Sequence, residues 1–200
     1  MALYMGTSPV PGTESSNMSQ DSMESVMARL DPFLDDFDAI PRQAMEFYRG
    51  YVRLLRGKPV NDVLLEHSKR TAANCIYDHM VAECERRFFA RPDIKLLEIR
   101  GLKLWLIGRD EHAVIRWKKM DEDGRSRNYP TKQAKDFDLQ LPLTGLPETP
   151  TRITVGYWPD PAGVSVVRAQ VARPNGKLVD WCAAIVPPSE RAEGAKNGRM

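Results

Sequence analysis

Apolar residues along this chain follow two spacings, and the change falls near residue 93. Upstream they recur every three or four residues, the period of one helix face; downstream they mostly alternate, the period of a strand. In QDSMESVMARLDP, Met23, Val26, Met27 and Leu30 keep helical spacing, Asp21 and Glu24 match a capping box, and Pro32 stops the run. PRQAMEFYRGYVRLL carries a second stripe through Met45, Tyr48, Val52 and Leu55. A third stripe, through Ala73, Ile76, Tyr77, Met80, Cys84 and Phe88, predicts a helix within HSKRTAANCIYDHMVAECERRF, residues 67 to 88. Pro92 disfavours helical geometry at Arg91 and closes it.

Beyond residue 93, LLEIRGLKLWLIG reads as a strand whose apolar phase slips at Gly101, the place for a bulge or a tight bend. HAVIRWKKM follows with Ala113, Ile115 and Trp117 on one face. NYPTKQAKDF resembles a short capped helix starting near Thr131. RITVGYW, VSVVRAQVARP and KLVDWCAAIV then form an antiparallel meander, its last turn a type I′ hairpin at Asn175-Gly176. The expected fold class is α+β, with N-terminal helices packed on one face of an antiparallel sheet of about five strands.

A chain of 200 residues with 42% hydrophobic content is large enough for one core. Residues 1–20 are rich in Ser, Gly, Pro and Thr, contain no Lys or Arg, and lack a signal-peptide apolar run, so they read as a flexible lead-in. Residues 187–200 read as a flexible tail, leaving 21–186 as a single domain that opens with an acidic arm, 21–40. No stretch approaches the length of a membrane span. Cys75 and Cys84 lie nine residues apart and face roughly opposite sides of a helix, and with Cys182 they make an odd set without CxxC spacing. That usage suits a reducing cytoplasm and three buried, unpaired thiols.

Charge changes the picture more than composition does. Residues 1 to 40 hold seven acids against Arg29, so a net charge of +2 for the chain leaves +8 on the remainder. FLDDFDAI mixes Phe33, Leu34 and Phe37 with Asp35, Asp36 and Asp38, a composition suited to docking on a basic surface. Arg42, Arg49, Arg53 and Arg56 share one narrow face beside the second apolar stripe, diluted mainly by Glu46. Guanidinium groups so placed suit a carboxylate- or phosphate-bearing partner; the alternative is a solvated face. The expected arrangement has the acidic arm covering these arginines until a stronger anionic partner displaces it.

Candidate chemistry is sparse. Arg70, Asn74 and Asp78 form a polar ridge with His79 beside it and Glu83 one turn beyond His79. Such a group can do acid–base work or bind metal, but the HExxH pattern is absent, and His67 is rotated about 120° from His79. The ridge therefore reads as a hydrogen-bonded structural feature that orients its helix against the sheet. Asp110, Glu111 and His112 sit in a turn with nothing to complete a metal site. Lys118, Lys119, Arg125 and Arg127 lie beyond Trp117, a weak signal for single-stranded nucleic acid that Asp121, Glu122 and Asp123 dilute. A metal-dependent nuclease is disfavoured because Arg100 stands where a lysine would be wanted two residues after Glu98. No cofactor and no metal site are implied.

The RTAANCIYDHM helix, the RNYPT junction, the VGYWPD strand and the RPNGKLVDW hairpin together resemble uncharacterised bacterial proteins encoded beside helix-turn-helix regulators in toxin–antitoxin-like pairs, sometimes fused to a zinc-peptidase-like domain. The resemblance covers roughly residues 65 to 186 and transfers no catalytic residue. It implies a cytoplasmic toxin-like or regulatory interaction protein, restrained by a helix-turn-helix or antitoxin-like partner. Nucleic-acid binding is the alternative function, and a hydrolase or nuclease the third.

Overall fold

Three helices and most of a mixed sheet build the principal core. The computed structural model describes residues 22–56, 67–108, 113–126, 131–143, 145–146 and 151–187, without the side chains of Leu55 and Arg56. The expectations for residues 1–20, for the tail after Pro187, and for Asp110, Glu111, His112 and Arg127 lie outside the described residues. Helix α1 spans Met23–Leu30, a 3-10 turn Asp31–Phe33, α2 Leu34–Arg56 and α3 Lys69–Phe88. Strands β1 (Ile94–Ile99), β2 (Leu102–Ile107) and β3 (Ala113–Lys119) precede α4 (Lys132–Asp138), and β4 (Thr151–Pro159), β5 (Val166–Asn175) and β6 (Leu178–Ala184) follow it.

The α+β expectation stands, and its finer details change. The sheet has six strands in chain order, antiparallel throughout except for the pairing of β3 with β4. The additional strand comes from the phase slip at Gly101. It is a tight hairpin turn in which Arg100 and Gly101 both adopt positive φ, 50° and 79°, so Ile99 pairs with Leu102. The last hairpin turns one residue later than expected. Asn175 pairs with Leu178, and Gly176 alone carries positive φ, which fits glycine at the first central position of the turn rather than a type I′ turn.

The segment 21–40 is not an acidic arm within its described part. Ser22, rather than Asp21, caps α1 by accepting from the Ser25 backbone N–H at 3.2 Å. Phe33, Leu34, Phe37 and Ile40 are buried in the main core, with Phe37 at 0% exposure and edge-on to the Trp117 ring. Pro41 lies inside α2, where it removes one helical hydrogen bond and marks a false start in the sequence. Burial of the apolar residues on both sides offsets that cost and keeps the helix continuous.

Both faces of the sheet are covered. Helices α1, α2 and α3 pack on the face bearing Trp105, Ile115, Trp117, Val155 and Val171. Helix α4, capped by Thr131, lies with its following loop on the other face, where Phe137 and Leu143 meet Leu104, Leu106 and Val114. An ion pair pins this crossover. Arg116, 2% exposed, binds Asp138 of α4, donates to Thr154 Oγ1 at 3.0 Å, and stacks over the Phe137 ring. Burial lowers the pKa of Arg116 below the usual guanidinium value, and Asp138 opposes that shift.

Candidate functional site

A cleft of about 530 Å³ opens where the C-terminal half of α2, the start of α3 and the β4–β5 turn meet. Four exposed cations stand around it: Arg49 and Arg53, one turn apart on α2, Lys69 at the start of α3, and Lys119 at the end of β3. None of the four makes an ion pair with a described residue. Asp160, the one acid among the described lining residues, is held by its own turn, accepting from the Val164 backbone N–H at 2.7 Å and from Ser165 Oγ at 2.9 Å. These hydrogen bonds, led by that of Val164, lower the carboxyl pKa of Asp160 below its ordinary value and keep it anionic within the turn. Among the described lining residues the cations therefore outnumber the acids, and the single carboxylate is already engaged in its own turn.

Two tyrosines and a histidine shape one wall. The His67 ring lies against Tyr48, centroids 5.9 Å apart, and against Tyr51 at 6.0 Å, and its Nδ1 is 3.3 Å from the Tyr48 hydroxyl. Tyr157, opposite Lys119 in the β3–β4 register, is buried at the base, and burial raises its phenol pKa so that it stays neutral.

The four expected arginines separate. Arg49 and Arg53 enter the cleft. Arg42 instead holds Asp38 through Nε at 3.0 Å and donates from Nη1 to the Val166 carbonyl, so it is part of the fold. Arg56 ends α2 with its side chain outside the description. The acids expected to cover these arginines reach Arg42 alone and not Arg49 or Arg53. Asp36 pairs with Arg87 at 3.0 Å and lies 3.8 Å from Arg91, while Asp38 is buried beside Arg42 one turn along its own helix. Continuous helix between residues 34 and 56 prevents Asp35, Asp36 or Asp38 from folding back on Arg49 and Arg53.

The polar ridge also differs from expectation. Arg70, Asn74 and Asp78 are exposed on the outer side of α3, so they do not orient it against the sheet. His79 is half-buried against Phe47, and Glu83 belongs elsewhere. Buried at 4% exposure, Glu83 accepts from Arg86 at 2.6 and 2.9 Å and from Arg87 at 2.6 Å. The Arg86 hydrogen bonds are the main reason its carboxyl pKa is lowered; burial opposes this, and Arg87 adds to it.

Of the cysteines, Cys84 is fully buried, Cys75 and Cys182 are half-buried, and all three are unpaired thiols. Burial raises the pKa of the Cys84 and Cys182 thiols, which favours their protonated form. Among the described residues no three His, Cys, Asp or Glu side chains gather to hold a metal ion, and no helix is long and apolar enough to cross a membrane.

Sequence reasoning did not place His67, Lys69, Lys119 or Tyr157 at the site. One signal was present for Lys119: it shares the parity of Ala113, Ile115 and Trp117, which puts it on the helix-bearing face. Compared with family models, curated proteins and solved structures, the chain matches none of them.

Proposed function

We propose that the protein is a toxin-like or regulatory interaction protein of the cytoplasm that binds an anionic segment of a partner protein in the cleft between α2, α3 and the β4–β5 turn. The observation that carries this reading is the convergence of Arg49, Arg53, Lys69 and Lys119, drawn from three elements, around one engaged acid. Exposed cations contribute little to stability, so a cluster without matching acids among the described residues is better accounted for by recognition than by folding. The resemblance to proteins paired with helix-turn-helix regulators supplies the partner class: a regulator or antitoxin-like protein with an acidic segment, whose binding restrains the activity.

Nucleic-acid binding is the second reading, favoured by the His67 ring lying against Tyr48 and Tyr51 beside the cations. Fluorescence anisotropy with a labelled acidic peptide and a labelled single-stranded oligonucleotide, each titrated at several salt concentrations, separates the two. The lead reading expects saturable peptide binding that Arg49→Gln with Arg53→Gln weakens about tenfold, the effect of losing two partly exposed charge contacts. Saturable oligonucleotide binding with a steep salt dependence, in the absence of peptide binding, would establish the alternative.

A further inference from the structure

Burial divides the cleft lining into two chemical layers. Its most enclosed residues are apolar or aromatic: Met45, Tyr48, Ile76, Tyr157 and Pro159 are all buried, and half-buried Val52 and Ala73 adjoin them. Its outer residues are the exposed cations Arg49, Arg53, Lys69 and Lys119, together with Val164 at the tip of the β4–β5 turn. Met45, Tyr48, Ile76 and Tyr157 belong to the main core, so the cleft is floored by the edge of that core. Nucleic acid would set its phosphates on the cations, yet it has no aliphatic side chain to place between them on methionine, isoleucine and alanine. A peptide does, because an apolar side chain can enter the floor while acidic neighbours on either side remain at the rim. The opening of about 530 Å³ is within the range of pockets that enclose ligand groups of this kind.

From this layering we infer that the cleft recognises a peptide segment of a partner protein in which one large apolar side chain is flanked by carboxylates. The apolar residue sits over Met45, Ala73 and Ile76, and the flanking acids meet Arg49 and Arg53 on one side and Lys69 and Lys119 on the other. This inference rests on the anion-binding reading of the cleft and specifies its occupant. The two layers have separate roles: the rim sets the association rate and the salt dependence, and the floor sets the residence time and the choice among acidic sequences.

The test uses the full chain and two labelled acidic peptides of equal length and charge, one with a central phenylalanine and the other with a central serine. Anisotropy titrations should show the phenylalanine peptide binding at least tenfold tighter. Raising the salt concentration should weaken both peptides in parallel and preserve the ratio between them. Ala73→Phe, which fills the floor and removes no cation, should erase the preference by bringing the affinity for the phenylalanine peptide down to that for the serine peptide. Equal affinities in the wild-type protein overturn the apolar anchor while leaving the anion-binding reading standing. Failure of both peptides to bind at low salt overturns that reading and this inference with it.

Discussion

The two ends of the antiparallel α2–α3 pair carry arginines in opposite circumstances. At the end formed by the start of α2 and the finish of α3, Arg86, Arg87 and Arg91 meet Glu83, Asp36 and Asp93, so cations and acids balance within hydrogen-bonding distance. Arg91 also covers the Phe33 ring, tying the network to the core. At the other end, Arg49, Arg53, Lys69 and Lys119 face the engaged Asp160 and, among the described residues, pair with no acid. The same residue types thus close the structure at one end and leave a positive opening at the other. Clusters of arginine become informative only when their acids are counted with them.

The largest expected effect comes from breaking the balanced end. Glu83→Ala removes the carboxylate that Arg86 and Arg87 share and should lower unfolding free energy by roughly 2 kcal/mol, the range for losing hydrogen bonds to a charged group, since Arg86 is exposed and Arg87 keeps Asp36. Urea denaturation should show this as a lower midpoint with an unchanged slope. Peptide binding at the opposite end should not change.

Acid sharpens the same contrast. Glu83 has a lowered carboxyl pKa in the folded protein, so its stabilisation is fully present above the unfolded carboxyl value of about 4.3 and is lost as pH falls through the folded value. The stability difference between wild type and Glu83→Gln should therefore be constant near neutrality and shrink below about pH 4. A difference that widens with acid would show that Glu83 does not titrate as this network requires.

The smallest effect comes from supplying the open end with the acid it lacks. Ala73→Glu places a carboxylate one helical turn from Lys69 and should raise stability by no more than about 1 kcal/mol, the range for partly exposed pairs. The same change should abolish binding of acidic peptides, because the introduced carboxylate occupies the cations and repels the ligand. Thermal melting and anisotropy on one preparation check both outcomes.

Parts of this arrangement were legible in the chain and parts were not, for identifiable reasons. The α3 stripe through Ile76, Met80, Cys84 and Phe88 was readable because burial on one side imposes the helical period. The β4–β6 meander was readable because each strand is bounded by turn residues. Residues 33–40 were misleading: aspartates between the phenylalanines suggested a docking segment, yet those acids point to Arg87 and Arg42 while the phenylalanines enter the core. Arg116 gave no signal at all, since a charged residue in a strand is ordinarily exposed and its burial depends on Asp138 and Phe137 arriving from α4. The cleft was half legible. Arg49 and Arg53 share a helix face that spacing reveals, whereas Lys69, Lys119 and Tyr157 join them only through tertiary contacts.

The single parallel pairing, β3 with β4, also bears on how fast the chain assembles. Strands β1–β3 and β4–β6 are two antiparallel triplets closed by short connections, but the seam between them joins Ala113 to Thr151 and Arg116 to Thr154 across the whole α4 crossover. Closing that longer loop must precede any gain from the pairing, so the triplets are expected to form early and the seam last. Thr154→Val, which removes the hydroxyl that Arg116 binds, should then accelerate unfolding while leaving the refolding rate nearly unchanged. Stopped-flow measurements showing slowed refolding instead would place the seam in the folding nucleus.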